Sequence, residues 1–211
     1  MHFPCYHFYS ISFSVSIATN KIAHIGIFGG TFDPIHRGHL HILESLAPRF
    51  DSLLLIPSGK PRLRYDAPVA SGADRVAMCE AAMNDLSDDL QSKVSVVDVE
   101  INRAGPSYAI DTINQLRMIY PRDTFALIIG SDAAEKFSQW YRADAIKKIV
   151  EIVVVKRPGA PKSEFTEVAI GALDISATNV RKSIKENVGV EQLVSPSVLS
   201  YIKERGLYGS K

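Results

Sequence analysis

A nearly continuous apolar run, Ile22-Ala23-His24-Ile25-Gly26-Ile27-Phe28, leads without a linker into Gly29-Gly30-Thr31-Phe32-Asp33-Pro34-Ile35-His36-Arg37-Gly38-His39-Leu40. The run reads as a buried strand, and Leu40 to Phe50 has helical periodicity. Glycines, a threonine and two histidines therefore sit at a strand-to-helix turn. Such a turn carries the unpaired N–H groups and partial positive charge of a helix N-terminus, which suit phosphate. His36 and His39 are three apart and share a face if the helix has begun by His36. The string lacks the Gly-Lys-Ser/Thr of a P-loop and the G-x-G-x-x-G of a dinucleotide fingerprint.

The remaining chain alternates. Strands are expected at Ile22–Phe28, Ser52–Ile56, Lys93–Glu100, Thr124–Gly130 and Glu151–Val155. Helices are expected at Gly38–Arg49, Ser71–Leu86, Tyr108–Tyr120, Ala143–Ile149, Ala177–Glu186 and Pro196–Arg205. This rhythm predicts an α/β fold: a Rossmann-like, doubly wound parallel sheet with helices on both faces. Residues 21–211 read as one domain that includes a C-terminal helical part. Ligands of such sheets bind beyond the carboxyl ends of the strands. The loops after Phe28, Ile56, Glu100 and Gly130 are thus the functional ones.

Composition narrows the class. The 211 residues carry 24 basic and 23 acidic side chains, so no broad electropositive field favours nucleic acid. Cys5 and Cys79 match no disulfide framework or metal pattern, and Cys79 reads as a small core residue. Residues 1–20 are aromatic- and serine-rich without periodicity. They lack the basic start of a signal peptide and are too polar to span a membrane. They read as an extension, disordered or outside the native start, on a cytoplasmic enzyme. Quaternary state leaves no mark on the sequence.

The functional loops hold three further signals. Pro57-Ser58-Gly59-Lys60-Pro61-Arg62-Leu63-Arg64 is a basic turn at a strand's carboxyl end, where cations can meet phosphate. Ser107, in Gly105-Pro106-Ser107-Tyr108-Ala109-Ile110-Asp111-Thr112, is a plausible N-cap. In Asp174-Ile175-Ser176-Ala177-Thr178-Asn179-Val180-Arg181, a Ser176 cap would bring the Thr178 hydroxyl, the Arg181 guanidinium and helix N–H groups together as a second anion site. A zinc site at His36, His39 and His41 lacks both the H-E-x-x-H spacing and a cysteine pair. No nucleophile–base pair for a covalent intermediate stands out.

The G-G-T-F-D-P-I-H-x-G-H string resembles the ATP-binding signature of the nucleotidylyltransferases. From about Ala23 to Tyr208 the chain is similar to the bacterial nicotinate-nucleotide adenylyltransferases. Gly105-Pro106-Ser107-Tyr108 with Asp111-Thr112, Ile129-Gly130-Ser131-Asp132, Trp140, Arg157-Pro158-Gly159, Ile175-Ser176-Ala177-Thr178 with Arg181, and Gly206-Leu207-Tyr208 carry the likeness. The resemblance implies direct in-line transfer of AMP from ATP to nicotinate mononucleotide, with Mg²⁺ carried by the ATP phosphates. It implies His36, His39 and Arg181 as catalytic residues. ATP would be met by these three and by Gly29, Gly30, Thr31 and Phe32. Gly130, Asp132, Ser176 and Thr178 complete that set. The acceptor would be met by Lys60, Arg64, Tyr108, Ala109 and Thr112, with Trp140, Tyr141 and Arg157.

The chain departs from the family pattern at three places. Arg62-Leu63-Arg64 replaces the usual Pro-His-Lys/Arg, Ala109 stands where threonine is usual, and residues 1–20 have no counterpart. Other readings stay open: an adenylyltransferase of the same fold that takes nicotinamide mononucleotide or another phosphate acceptor, or a silent nucleotide-binding regulator. A tRNA synthetase fragment is disfavoured by the lack of a K-M-S-K-S string.

Overall fold

The computed structural model describes residues 21–60, 67–171 and 173–210. The readings made for residues 1–20 and for Leu63 and Arg64 lie outside the described residues. In chain order the elements are β1 (His24–Gly30), α1 (Arg37–Leu46), β2 (Ser52–Pro57), α2 (Gly72–Met83), α3 (Asp88–Lys93), β3 (Val94–Val96) and α4 (Ala109–Ile119). There follow β4 (Thr124–Gly130), α5 (Ser131–Glu135), α6 (Ala143–Ile149), β5 (Glu151–Lys156), β6 (Thr166–Ala169), α7 (Ala177–Glu186) and α8 (Pro196–Glu204). The strands form one six-stranded sheet in the order β3-β2-β1-β4-β5-β6. Every pairing in it is parallel. The order reverses at β1, so β1 and β4 flank the switch point where such sheets bind ligands.

The apolar runs are continuous because both faces are covered. Ile25, Ile27, Leu54, Ile56, Phe125, Leu127, Ile152 and Val154 face one core, together with Ile110, Ile113 and Leu116 of α4 and Ile146 of α6. Phe28, Leu53, Leu55, Ala126, Ile128, Val153 and Val155 face the other core, against α1, α2, α7 and α8. Each of these side chains larger than alanine contributes roughly 1.5–3 kcal/mol on burial. Cys79 is fully buried in the second core, and burial raises its thiol pKa far above the ordinary value, as expected of a packing residue. Among the described residues, no helix is long and apolar enough to cross a membrane.

Several expectations need correction. The third strand stops at Val96 rather than Glu100, because the chain turns at Asp98, whose carbonyl accepts the Ile101 and Asn102 N–H groups. It also starts at Val94, since Lys93 closes α3. β6 was not expected; its Thr-Glu-Val-Ala sequence is short, polar and at the sheet edge. Ser107 does not cap α4. Tyr108 takes the cap position, and the Ser107 hydroxyl instead accepts the Gly59 and Lys60 N–H groups at 3.0 and 3.1 Å. Ser176 does cap α7, accepting the Asn179 N–H at 3.2 Å.

The C-terminal helix α8 is clasped to α2 through one carboxylate. Asp74 accepts Ser71 Oγ–H at 2.6 Å, Tyr201 O–H at 3.0 Å and Arg205 Nε–H at 3.3 Å. These donors, the serine first, hold the Asp74 carboxyl below its ordinary range. Its contribution to stability is therefore present above the unfolded carboxylate pKa and lost as pH falls through the lower folded value. Asp74→Ala is expected to cost about 1–3 kcal/mol at neutral pH, from donors left unmatched. The deficit should shrink below about pH 4. Urea unfolding of both chains across pH 3–7 checks this.

Candidate active site

β1 ends at Gly30, and the chain turns back over its own aromatic rings before α1. Phe32 adopts a left-handed backbone, φ 49°, and its ring is buried. A Cβ on Gly30 would lie 2.7 Å from that ring, so only glycine leaves it room. Phe32 meets His39 edge-on at 4.9 Å, and His39 stacks on His36 at 3.6 Å between centroids. The His36 ring is closed in on its other side by Gly38, where a Cβ would sit 3.1 Å from Nδ1 and 3.2 Å from Cε1. The two glycines thus leave room for a packed row of rings.

His36 takes the N-cap position of α1, and its backbone N–H donates to His39 Nδ1 at 3.2 Å. That fixes the His39 proton on Nε2, a neutral donor. Burial, followed by the charge of Arg157, lowers the His36 pKa to about 4. Burial, then His36, then Arg157 hold His39 well below the ordinary histidine value. Both rings are neutral at pH 7. His41 points elsewhere, its Nε2 lying 2.8 Å from Ile170 O.

The second anion element closes over the same turn. The Arg181 guanidinium donates to Asp33 O at 2.7 Å and to Thr178 Oγ1 at 3.4 Å. Ser176 and Thr178 stand at the N-terminus of α7, whose first N–H groups have no acceptor within the helix. Asp33 is buried, and its carboxylate accepts the Val69 and Ala70 N–H groups and the Tyr208 hydroxyl. The buried Arg75 donates to Thr31 O at 2.7 Å. Sequence reasoning did not find the parts played by Asp33, Arg75 and Tyr208. The sequence signals available were the place of Asp33 in the Gly29–Leu40 string, that of Tyr208 in the closing Gly206-Leu207-Tyr208, and the helical spacing of Arg75 with Cys79.

A cavity of about 530 Å³ opens beyond the ends of β1, β2 and β4. Gly29, Gly30 and Thr31 form the wall it shares with the histidine turn. Tyr108, Ala109, Thr112, Trp140 and Tyr141, named above for the acceptor, line it, together with Ser58, Glu100 and Gln139, which were not named. Ala109 opens α4, and the first intrahelical bonds to Tyr108 O are made by Asp111 and Thr112, beyond the first two N–H groups. The Tyr108 and Tyr141 rings lie 4.5 Å apart, and Trp140 packs on Phe137 with its buried Nε1–H unpartnered. The Thr112 hydroxyl is engaged, donating to Glu100 Oε1 at 2.7 Å and accepting from Arg103 at 2.9 Å, so it braces the wall.

Four further residues expected at the site, Gly130, Asp132, Arg157 and Lys60, do not line that cavity. Gly130 caps α5, with nothing within 4 Å of where a Cβ would be. Asp132, on α5, pairs with Arg157 at 2.9 Å, both mostly exposed. Arg157 therefore sits with Asp132 and within electrostatic reach of the histidines, outside the cavity wall. Lys60 is exposed and tied to Ser107 through its backbone.

The glycine- and histidine-bearing turn lies at the switch point of a parallel sheet, beside a capped helix that carries an arginine. The chain belongs to the cytidylyltransferase-like family, whose pattern matches residues 27–183. It is 36% identical over 200 residues to a probable nicotinate-nucleotide adenylyltransferase of Dehalococcoides mccartyi, covering 87% of this chain and 96% of the relative. A protein of the same name from Shouchella clausii is 35% identical, with 88% and 96% covered. In fold it is similar to the Plasmodium falciparum nicotinic acid mononucleotide adenylyltransferase complexed with NaAD. That match has a TM-score of 0.76 at 20% identity and covers 89% of this chain and 98% of that one.

Gly38 offers a test of the ring packing. Alanine is the better helix former by about 1 kcal/mol, so Gly38→Ala should not destabilise α1 intrinsically. It should displace the His36 ring and lower turnover at least about tenfold, one decade being ~1.4 kcal/mol. Steady-state kinetics beside a melting curve checks both halves.

Proposed function

We propose that the chain transfers AMP from ATP to nicotinate mononucleotide, producing deamido-NAD and pyrophosphate. One observation carries this reading: the 530 Å³ cavity shares its β1 wall with the turn that bears His36 and His39. An acceptor in the cavity and a triphosphate over the turn would meet at the end of β1. The names of the curated relatives support the same pair of substrates.

In this mechanism an acceptor phosphate oxygen attacks the α-phosphorus of ATP. The new O–P bond forms as the bond to the β-phosphate oxygen breaks in line, and pyrophosphate leaves with the electron pair. Negative charge grows on the α-phosphoryl oxygens and on the leaving group. His39 Nε2–H, His36 and the unused guanidinium N–H groups of Arg181 stabilise it without a proton changing hands. Ser176, Thr178 and the α7 N-terminus hold the β- and γ-phosphates. Gly29, Gly30, Thr31 and Phe32 give the nucleotide a close-fitting backbone, with Gly130 and Asp132 at its nucleoside end.

Mg²⁺ belongs to the substrate in this reading. The Asp33 oxygens are taken up by three donors, and Asp132 is exposed and paired with Arg157. That fits an ion that keeps its waters and rides on the triphosphate, where it neutralises charge. Lys60, Arg64 and Arg157 supply cations for the acceptor phosphate. Trp140, Tyr108 and Tyr141 enclose the pyridine ring, and the first N–H groups of α4, near Ala109, read its carboxylate.

His39→Ala is expected to lower turnover at least about a hundredfold with the fold intact, the usual cost of one preorganised donor. Near-normal turnover in the folded variant would remove His39 from the mechanism. Nicotinate mononucleotide should be preferred to the nicotinamide form, because N–H donors match a carboxylate but face the amide's own NH₂. The ratio of kcat/KM for the two acceptors at saturating MgATP decides it; a value near one would overturn the acceptor while sparing the adenylyl transfer.

A further inference from the structure

Tyr208 lies outside the cavity, in a short turn, Leu207–Gly209, that follows α8. The turn runs through three left-handed residues: Gly206, Tyr208 and Gly209, with φ of 60°, 58° and 76°. Glycine adopts that region freely, but a tyrosine does so only where contacts hold it, and such residues gather where geometry matters. Its contacts are specific. The Tyr208 hydroxyl donates to Asp33 Oδ1 at 2.7 Å and lies 3.9 Å from Met78 Sδ. Burial, then the Asp33 carboxylate, raise the phenol pKa, so it stays a donor across the pH range of ordinary assays.

Asp33 is where that hydrogen bond takes effect. Its Oδ2 accepts the Val69 N–H at 2.7 Å, while Oδ1 accepts the Ala70 N–H at 3.1 Å as well as Tyr208. Its carbonyl accepts Arg181 Nη1–H at 2.7 Å, and the same nitrogen lies 3.9 Å from Oδ2. The guanidinium is thus hydrogen-bonded to the neutral carbonyl and makes only a long ion pair with the carboxylate beside it. A carboxylate with all its donors in place has little need of that cation. One deprived of Tyr208 would draw it in, away from the triphosphate.

We propose that Tyr208 is a positioning residue of the phosphate site: its hydrogen bond satisfies Asp33, which leaves Arg181 aimed at the phosphates of ATP. This rests on the reading that Arg181 meets ATP.

Tyr201 provides the control. It belongs to the same C-terminal segment and also donates its hydroxyl to a carboxylate, Asp74 Oδ1, at 3.0 Å, but that carboxylate serves the α2–α8 clasp. Tyr208→Phe and Tyr201→Phe each keep the ring and remove one hydroxyl bond to an aspartate. Binding of a non-hydrolysable ATP analogue with Mg²⁺, measured by calorimetry, should weaken about tenfold in Tyr208→Phe, the size of one hydrogen bond to a charged group. KM for ATP should rise in step, and KM for nicotinate mononucleotide should stay within about twofold. Tyr201→Phe should melt at a lower temperature with ATP affinity within about twofold of the native chain. Unchanged ATP affinity in Tyr208→Phe, or an equal loss in both variants, overturns the proposal. The calorimetry needs no acceptor. A native chain that binds the ATP analogue but releases no pyrophosphate with nicotinate mononucleotide would sink the acceptor assignment alone.

Discussion

A carboxylate taken out of water must be met by donors, and at Asp33 that demand joins four parts of the chain. Its oxygens gather the Val69 and Ala70 N–H groups ahead of α2 and the Tyr208 hydroxyl after α8, while its carbonyl receives Arg181 from α7. An aspartate with fewer partners at this depth would cost several kcal/mol or lose its charge. With them, it fixes the turn after β1 in three directions. Arg75 does the same for the neighbouring carbonyl of Thr31. The backbone that curls over the end of β1 is therefore held by side chains from beneath, which leaves its upper face open.

The histidines of that turn are kept neutral by burial. They are packed ring on ring, desolvated and close to the Arg157 cation, so the neutral form is favoured. A neutral N–H donor does not need to shed a proton or a tight counter-ion before it meets a phosphate. The permanent positive charge comes instead from guanidinium groups, which keep it at every relevant pH.

Much of this was legible in the sequence where burial dictated residue type. β4, α6 and α7 fall at their expected bounds: β4 is an apolar run, α7 is capped by Ser176, and α6 buries Ala143 and Ile146 on one side. β6 and the short helices α3 and α5 were invisible because they are polar and few in residues, held by neighbours rather than by their own pattern. At the site, the histidine turn and the Ser176–Arg181 segment could be read locally. Asp33 could not, since its partners are 36, 37 and 175 positions away. Ser107 misled for a related reason: its hydroxyl serves a loop 47 and 48 positions upstream instead of its own helix.

The reach from Asp33 to Tyr208 bears on how such a chain matures. All six strands lie between residues 24 and 169, so the whole sheet can pair before α8 has been synthesised. Contacts that close long loops form late. Until residue 208 is made, Asp33 has the Val69 and Ala70 N–H groups but lacks the Tyr208 hydroxyl. The turn after β1 thus acquires its last support only once residue 208 has been made.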